Sequence, residues 1–118
     1  MPDTTTPAAR RQLVQHLPEL RADDATLIRH FLDAIWAEQG LARASLDSYR
    51  RDLEGLARWR DGAGGGLAGI DRAGLFDYLA WRAKHGWSPR SNARLLSALR
   101  AFFGDALRRG QRSEDPSA

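Results

Sequence analysis

The chain has 118 residues and no cysteine, which is enough for one domain and excludes disulfide bonds and cysteine-ligated zinc. No apolar run approaches the ~20 residues of a membrane-spanning helix, and residues 1–11 lack the apolar stretch of a signal peptide. The formal net charge is +3, but residues 81–112 hold eight lysines and arginines against one acid, which indicates either a polyanion partner such as nucleic acid or an ordinary solvated surface.

The N-terminal part of the chain predicts a tail and then an amphipathic helix. Residues 1–22 are polar and interrupted by prolines, so we expect them to be poorly ordered or to form one short helix at 8–17. The first main helix should begin with Asp23 or Asp24 as its N-cap and stop at Gly40. Apolar residues at three- and four-residue spacing predict its buried face: Leu27, Ile28, Phe31, Leu32, Ile35 and Trp36.

The second and third main helices flank a glycine-rich loop. The second is predicted over residues 43–60. The loop at 62–66 lacks the Gly-Lys-Ser/Thr end of a phosphate-binding loop, so we interpret it as a flexible connection. The third should begin at Asp71, because Ile70 and Leu75 have the spacing of a hydrophobic staple around that N-cap. The inward residues of these two helices should be Leu46, Tyr49, Leu53, Leu56, Leu75, Tyr78 and Leu79.

The fourth main helix has the clearest start. Ser88 is a good N-cap, Pro89 fits the first helical position, and Gly110 predicts the end. About 21 residues at ~1.5 Å each give a helix of about 30 Å. Its apolar face should comprise Leu95, Leu96, Leu99, Phe102, Phe103 and Ala106.

These elements predict an all-α fold: one domain with four main helices and no strand. We divide the chain into an N-terminal tail (1–22), a helical domain (23–112) and the start of a linker (113–118), because the last segment is polar and contains proline. We expect that linker to lead to a further domain.

One side of the fourth helix carries arginines with no acid among them. Opposite the apolar face lie Arg90, Arg94, Ser97, Ala101 and Arg108. Arginine pairs with phosphates and reaches guanine edges, and small residues let a helix approach a DNA groove closely. An ordinary solvent face would carry glutamates paired with these arginines, so the pattern favours DNA contact.

The second helix carries a similar but less selective arc. Arg43, Arg50, Arg51 and Arg58 fall within about 100° of one another on the helical wheel. Two acids, at 47 and 54, share the arc, so a salt-bridged solvent face and a phosphate-binding face both remain open. Ser45 would add a neutral hydrogen bond to a phosphate.

Other residue types predict no chemistry. His16, His30 and His85 have no metal-ligand spacing and are expected on the surface or at helix ends. Trp36, Trp59 and Trp81 lie in helical patterns typical of the core or its edge, and Trp87 should pack where the fourth helix begins. No nucleophile–base arrangement is present, so we expect no catalytic site, no metal and no cofactor.

Four segments together carry a family resemblance: residues 31–36 (Phe-Leu-Asp-Ala-Ile-Trp), 45–53 (Ser-Leu-Asp-Ser-Tyr-Arg-Arg-Asp-Leu), 91–100 (Ser-Asn-Ala-Arg-Leu-Leu-Ser-Ala-Leu-Arg) and 114–118 (Glu-Asp-Pro-Ser-Ala). In this order and spacing they resemble the N-terminal core-binding domain of tyrosine site-specific recombinases of the XerC/XerD type, and the detail is closer to XerD. The resemblance covers roughly residues 27–118.

The resemblance implies a SAM-like bundle of four main helices that covers one side of duplex DNA. A separate catalytic domain would cover the other side. It also implies that the second and fourth helices contact neighbouring major-groove positions and phosphates. The residues that carry over are Arg43, Ser45, Arg50, Arg51, Arg90, Ser91, Asn92, Arg94 and Arg100. The helical wheel, however, places Asn92 on the apolar side and Arg100 on the flank.

In that family, strand exchange proceeds through a tyrosine–phosphate intermediate formed in the C-terminal domain. Tyr49 and Tyr78 lie on apolar helix faces, so neither is expected to be that nucleophile. The fragment is therefore expected to be a monomeric DNA-binding domain without enzyme activity. The whole protein would resolve chromosome dimers in the bacterial cytoplasm, in a tetramer with a partner recombinase. The alternative is a helical protein–protein interaction module that docks through its first helix and tail.

Overall fold

The structure, a computed structural model, describes residues 6–62 and 66–118. Those residues form helices and no strand, so the all-α prediction with four main helices, α2–α5 below, is confirmed. The centre of the predicted flexible loop, residues 63–65, lies outside the described residues. The helices are α1 (Pro7–Gln15), α2 (Ala22–Gln39), α3 (Arg43–Gly62), a 3-10 turn (Leu67–Gly69), α4 (Arg72–Lys84) and α5 (Pro89–Arg108).

Two predicted N-caps are confirmed by their hydrogen bonds. The Asp71 carboxylate accepts from the Gly74 backbone N–H at 2.8 Å and begins α4. The Ser88 hydroxyl accepts from the Ser91 N–H at 3.1 Å, and Pro89 follows it at the start of α5. In both cases a side-chain oxygen binds an N–H group that has no partner within the helix.

The predicted N-cap of α2 is wrong, since Arg21 occupies that position and Asp23 and Asp24 lie in the first turn. Carboxylates are favourable there because the helix dipole is positive at this end. Asp24 is turned inward and accepts from the backbone N–H of Leu67 at 2.9 Å, so it caps the 3-10 turn instead. Its second carboxylate oxygen is buried without a partner among the described residues. Burial raises the pKa of Asp24.

Helix α3 is the centre of the bundle, because it contacts α2, α4, α5 and the 3-10 turn. Leu53 and Leu56 on α3 are completely buried. Phe31 of α2 meets Phe102 of α5 edge-to-face with ring centroids 5.4 Å apart, which ties the two outer helices together. The core includes Ile28, Phe31, Ile35, Leu53, Leu56, Leu67, Ile70, Leu75, Tyr78, Leu95, Leu99, Phe102 and Phe103.

One predicted core residue is wrong: the Trp36 side chain on α2 is 61% exposed. The buried stripe of α2 is narrow, with Ile28, Phe31 and Ile35 at successive spacings of three and four. Trp36 lies about 100° further round the helix and falls outside that stripe. Periodicity thus identified the buried side of α2 but overestimated its width.

The other three tryptophans lie where the sequence predicts. Trp59 and Trp81 are half-buried against the core, on either side of Tyr78, with ring centroids 5.2 and 5.8 Å from it. Trp87 precedes α5 and packs 5.3 Å from Trp81. This aromatic cluster (Trp59, Tyr78, Trp81 and Trp87) joins α3, α4 and the start of α5.

The last residues fold back against the bundle. The Arg112 guanidinium donates to the backbone carbonyl of Ala68 at 2.9 Å and to that of Ile70 at 2.6 Å. Pro116 is buried. Across residues 6–62 and 66–118, no helix is long and apolar enough to cross a membrane, and no cluster of three acids or histidines is placed to hold a metal ion.

Candidate nucleic-acid interface

The predicted DNA-binding residues lie on α3 and α5, two helices that pack directly against each other. A bond between Asp52 of α3 and Arg94 of α5 brings the first half of α5 against the middle of α3. Most of the predicted residues are exposed: Arg43, Ser45, Arg50, Arg51, Arg90, Arg94, Ser97, Arg100 and Arg108; Ser91 and Asn92 are half-buried.

Within the described residues, four of these arginines have no ion pair or hydrogen-bond partner for their side chains. We call them the unpaired arginines: Arg43, Arg51, Arg90 and Arg100. The charge of a guanidinium without a carboxylate partner is not offset by an ion pair, and all five of its N–H donors are available to a ligand. The unpaired arginines are therefore the groups on α3 and α5 that are best suited to bind phosphates.

Three other arginines of the predicted set already have carboxylate partners: Arg50, Arg94 and Arg108. Arg50 lies 3.1 Å from Asp47 on the same helix. Arg94 makes two bonds of 3.0 Å to Asp52, and hydrogen bonding to that carboxylate raises the pKa of Arg94. Asp47, one of the two acids that share the arc of α3, therefore offsets positive charge on this surface, and so does Asp52.

The C-terminal end of α5 is less basic than its sequence indicates. Asp105 is buried, and it binds Arg109 at 3.0 Å and Arg108 at 3.8 Å. Arg109 also reaches Glu38 of α2 at 3.6 Å. Since Arg108 shares a carboxylate with its neighbour, the stripe of α5 is more strongly basic near Arg90 than near Arg108.

Arg58 is turned away from solvent and binds the end of α1. Its guanidinium donates to the backbone carbonyls of Val14 at 2.8 Å, Leu17 at 3.1 Å and Pro18 at 2.8 Å. These carbonyls lie at and beyond the last turn of α1, where the helix leaves them without partners. Both sequence interpretations of the arc, a solvent face or a phosphate-binding face, are therefore wrong for Arg58.

Asn92 faces α4. Its side-chain oxygen accepts from Nε of Arg82 at 2.8 Å. Arg82 is itself buried and lies over the rings of Tyr78 and Trp87, 5.8 and 5.1 Å from their centroids. The wheel position of Asn92 on the apolar side was the signal for this arrangement.

Two residues were missed in the sequence: Asp52 and Arg82 are buried charged groups that link helices around the aromatic cluster. Burial and, in addition, the Asp52 carboxylate raise the pKa of Tyr78, so its hydroxyl stays neutral. A charged residue at the edge of an apolar stripe was the available signal for both. The sequence alone assigns no individual role to Asp52 or Arg82.

The fold and this surface define the class of the protein: a small all-helical, SAM-like domain with an arginine-rich exposed surface on two packed helices. The chain belongs to the family described as phage integrase, N-terminal SAM-like domain, whose family model matches residues 28–110. The match covers most of α2 and all of α3–α5, whereas α1 precedes it.

The most similar curated relatives include several tyrosine recombinases named XerD. The chain is 66% identical to XerD of Xanthomonas campestris pv. campestris, over 97% of this chain and 35% of the relative. It is 72% identical to XerD of Xanthomonas axonopodis pv. citri, over 80% of this chain and 31% of the relative. With XerD of Pseudomonas aeruginosa the identity is 48%, over 77% of this chain and 30% of the relative. The resemblance to the N-terminal domain of XerD-type recombinases is thus confirmed.

The chain spans about a third of the length of the curated relatives it matches. No solved structure gives a significant match to it.

Proposed function

We propose that this chain is the DNA-binding, core-binding domain of a tyrosine recombinase and that it grips duplex DNA through α3 and α5. The observation that carries the proposal is the set of four unpaired arginines on two helices that are bonded to each other. Arginine binds both phosphates and base edges, so such a surface suits a polyanion of fixed geometry. The domain boundaries would be 23–112, with 113–118 as the start of a linker.

The activity of the whole protein follows from the family and is part of this proposal. A catalytic domain after residue 118 would supply the tyrosine nucleophile and would close the clamp on the other side of the DNA. The complete recombinase would act with partner subunits in a tetramer, on chromosome dimers in the bacterial cytoplasm. The fragment alone would be a monomer and would bind DNA weakly, because it forms half of the clamp.

Fluorescence anisotropy with a labelled duplex, at salt concentrations between about 50 and 200 mM, tests the DNA grip. Replacing Arg90 with alanine should weaken binding and lower the slope of log K against log salt by about 0.9, the value for one phosphate contact. The matched control is Arg72→Ala, which removes an exposed arginine from α4. Equal losses of affinity in the two variants would mean that binding depends only on total charge. That result would contradict a DNA interface on α5.

A second candidate function is supported by one observation, the exposed Trp36 side chain on α2. A large exposed aromatic residue is typical of protein–protein contacts. Analytical ultracentrifugation of the wild type and of Trp36→Ala tests this function. Self-association that is lost in the variant would support an interaction module, and a monomer at all concentrations would argue against self-association through this residue.

A further inference from the structure

The bond between Asp52 and Arg94 differs from the pairs Arg50–Asp47, Arg108–Asp105 and Arg109–Asp105, because it joins two helices through two guanidinium nitrogens. Both carboxylate oxygens are used, by Nε and Nη2 of Arg94 at 3.0 Å each. The Asp52 side chain is 4% exposed, whereas that of Arg94 is 48% exposed. One end of the pair is thus fixed inside the protein, and the other reaches the surface.

The pairs Arg50–Asp47 and Arg108–Asp105 each join residues three positions apart on one helix. An exposed pair such as Arg50–Asp47 contributes little to stability, and salt screens it. Asp52 and Arg94 lie 42 residues apart and join two helices. Two parallel bonds to a buried carboxylate also fix the plane of the guanidinium, which a single contact does not.

The bond determines which donors of Arg94 remain. A guanidinium has five N–H groups, and Asp52 occupies one on Nε and one on Nη2. The remaining edge presents Nη1 and the second hydrogen of Nη2 as two parallel donors. Guanine offers two parallel acceptors, O6 and N7, in the major groove. The neighbouring Ala93 and Ser97 are small and exposed, so they leave room for a close approach of α5.

We infer that Asp52 is a positioning residue that holds Arg94 for recognition of one guanine base edge. This inference rests on the proposed DNA-binding function and adds a source of sequence specificity to it. Because Asp52 neutralises the charge of Arg94, the pair contributes little general attraction for phosphates. Its contribution is a fixed direction of two donors, whereas the unpaired arginines provide charge.

The test is selection of binding sequences from a pool of duplexes with a randomised segment. It compares the wild type with Asp52→Asn, Arg94→Lys and the control Asp47→Asn, which removes the partner of Arg50. Lysine keeps the charge of Arg94 but cannot bind the carboxylate and a base as a rigid fork. Circular dichroism establishes that each variant is folded, and Arg94→Lys carries the test if Asp52→Asn does not fold.

The wild type should select a guanine at one position, and Asp52→Asn and Arg94→Lys should both lose about tenfold or more of that preference at the same position. Asp47→Asn should select the wild-type sequence. Replacing that guanine with 7-deazaguanine removes the N7 acceptor and keeps O6. This change should weaken binding by the wild type, whose Arg94 uses both acceptors. It should leave the affinity of Arg94→Lys unchanged, because that variant has lost the paired contact.

Three outcomes would overturn the inference. If Asp52→Asn and Arg94→Lys select the wild-type sequence with lower affinity, Asp52 has only a structural role. If Arg94→Lys keeps the affinity, the sequence preference and the salt slope of the wild type, Arg94 binds a phosphate, because lysine keeps that charge. If the wild type binds duplexes but selects no guanine, Arg94 reads no base. Failure of the wild type to bind any duplex would instead refute the proposed function itself.

Discussion

Helix α3 is joined to two other helices by arginines, and the two junctions use arginine in opposite ways. At the junction with α5, Arg94 is half-exposed and its partner Asp52 is buried. At the junction with α1, Arg58 donates inward to three backbone carbonyls. The comparison teaches that the availability of an arginine depends on which acceptors other segments bring to it, and not on its place in a helical arc.

The substitution Arg58→Met tests the junction with α1 and should have the largest effect, a loss of stability. The variant keeps the apolar stem but leaves the carbonyls of Val14, Leu17 and Pro18 without their charged donor. We expect a loss of about 2 kcal/mol in the free energy of unfolding, since hydrogen bonds to charged groups are worth more than neutral ones. Urea titration measures the loss, and hydrogen exchange should show that the amides of α1 open first.

The control for that variant is Arg11→Met, on the exposed side of α1. It should leave stability within about 0.5 kcal/mol of the wild type. DNA affinity of Arg58→Met, measured under conditions where α2–α5 stay folded, should also be unchanged. A large loss of affinity there would show that Arg58 or α1 contributes to the DNA surface after all.

A smaller effect is expected from the neighbours Arg50 and Arg51 on DNA binding. Arg51 is unpaired, whereas a phosphate must compete with Asp47 for Arg50. Arg51→Ala should therefore lower affinity several-fold and reduce the salt slope by about 0.9, and Arg50→Ala should have the weaker effect on both. Anisotropy titrations at several salt concentrations give the two slopes. The reverse order would mean that pairing with a carboxylate does not decide which arginines bind phosphates.

The smallest effect concerns the contact between α2 and the 3-10 turn, where the buried Asp24 carboxylate forms no ion pair with the described residues. Burial raises the pKa of Asp24 above that of the unfolded chain, so its ionised form at neutral pH opposes folding. As the pH falls from 7 toward that raised pKa, the wild type should gain stability relative to Asp24→Asn. Urea midpoints of both proteins across this range test the sign. A difference that is independent of pH would contradict a raised pKa.

Local features of the sequence were sufficient to predict α2–α5, the caps at Asp71 and Ser88, and most of the core. Each depends on residues a few positions apart, which is the range over which helical periodicity and capping act. The errors at Arg58 and Asp24 involve partners that are distant in the chain. Arg58 binds carbonyls 40–44 residues earlier, and Asp24 binds an N–H 43 residues later.

The predicted DNA-binding residues show the same division. Helical wheels predicted a basic face on α3 and on α5 and indicated that Asn92 faces inward. They did not distinguish Arg94 from Arg90, because the carboxylate that binds Arg94 lies on another helix. Charge patterns in a sequence count arginines, but the packing of helices determines which of them have a carboxylate partner.

The bonds of Arg58 also have a consequence for the order of events during synthesis. Helix α1 leaves the ribosome before α3, and the side chain that holds its C-terminal end follows more than 40 residues later. A helix of nine residues is marginal in water without such contacts. Helix α1 is therefore stable only after α3 has been translated, although it precedes α3 in the chain.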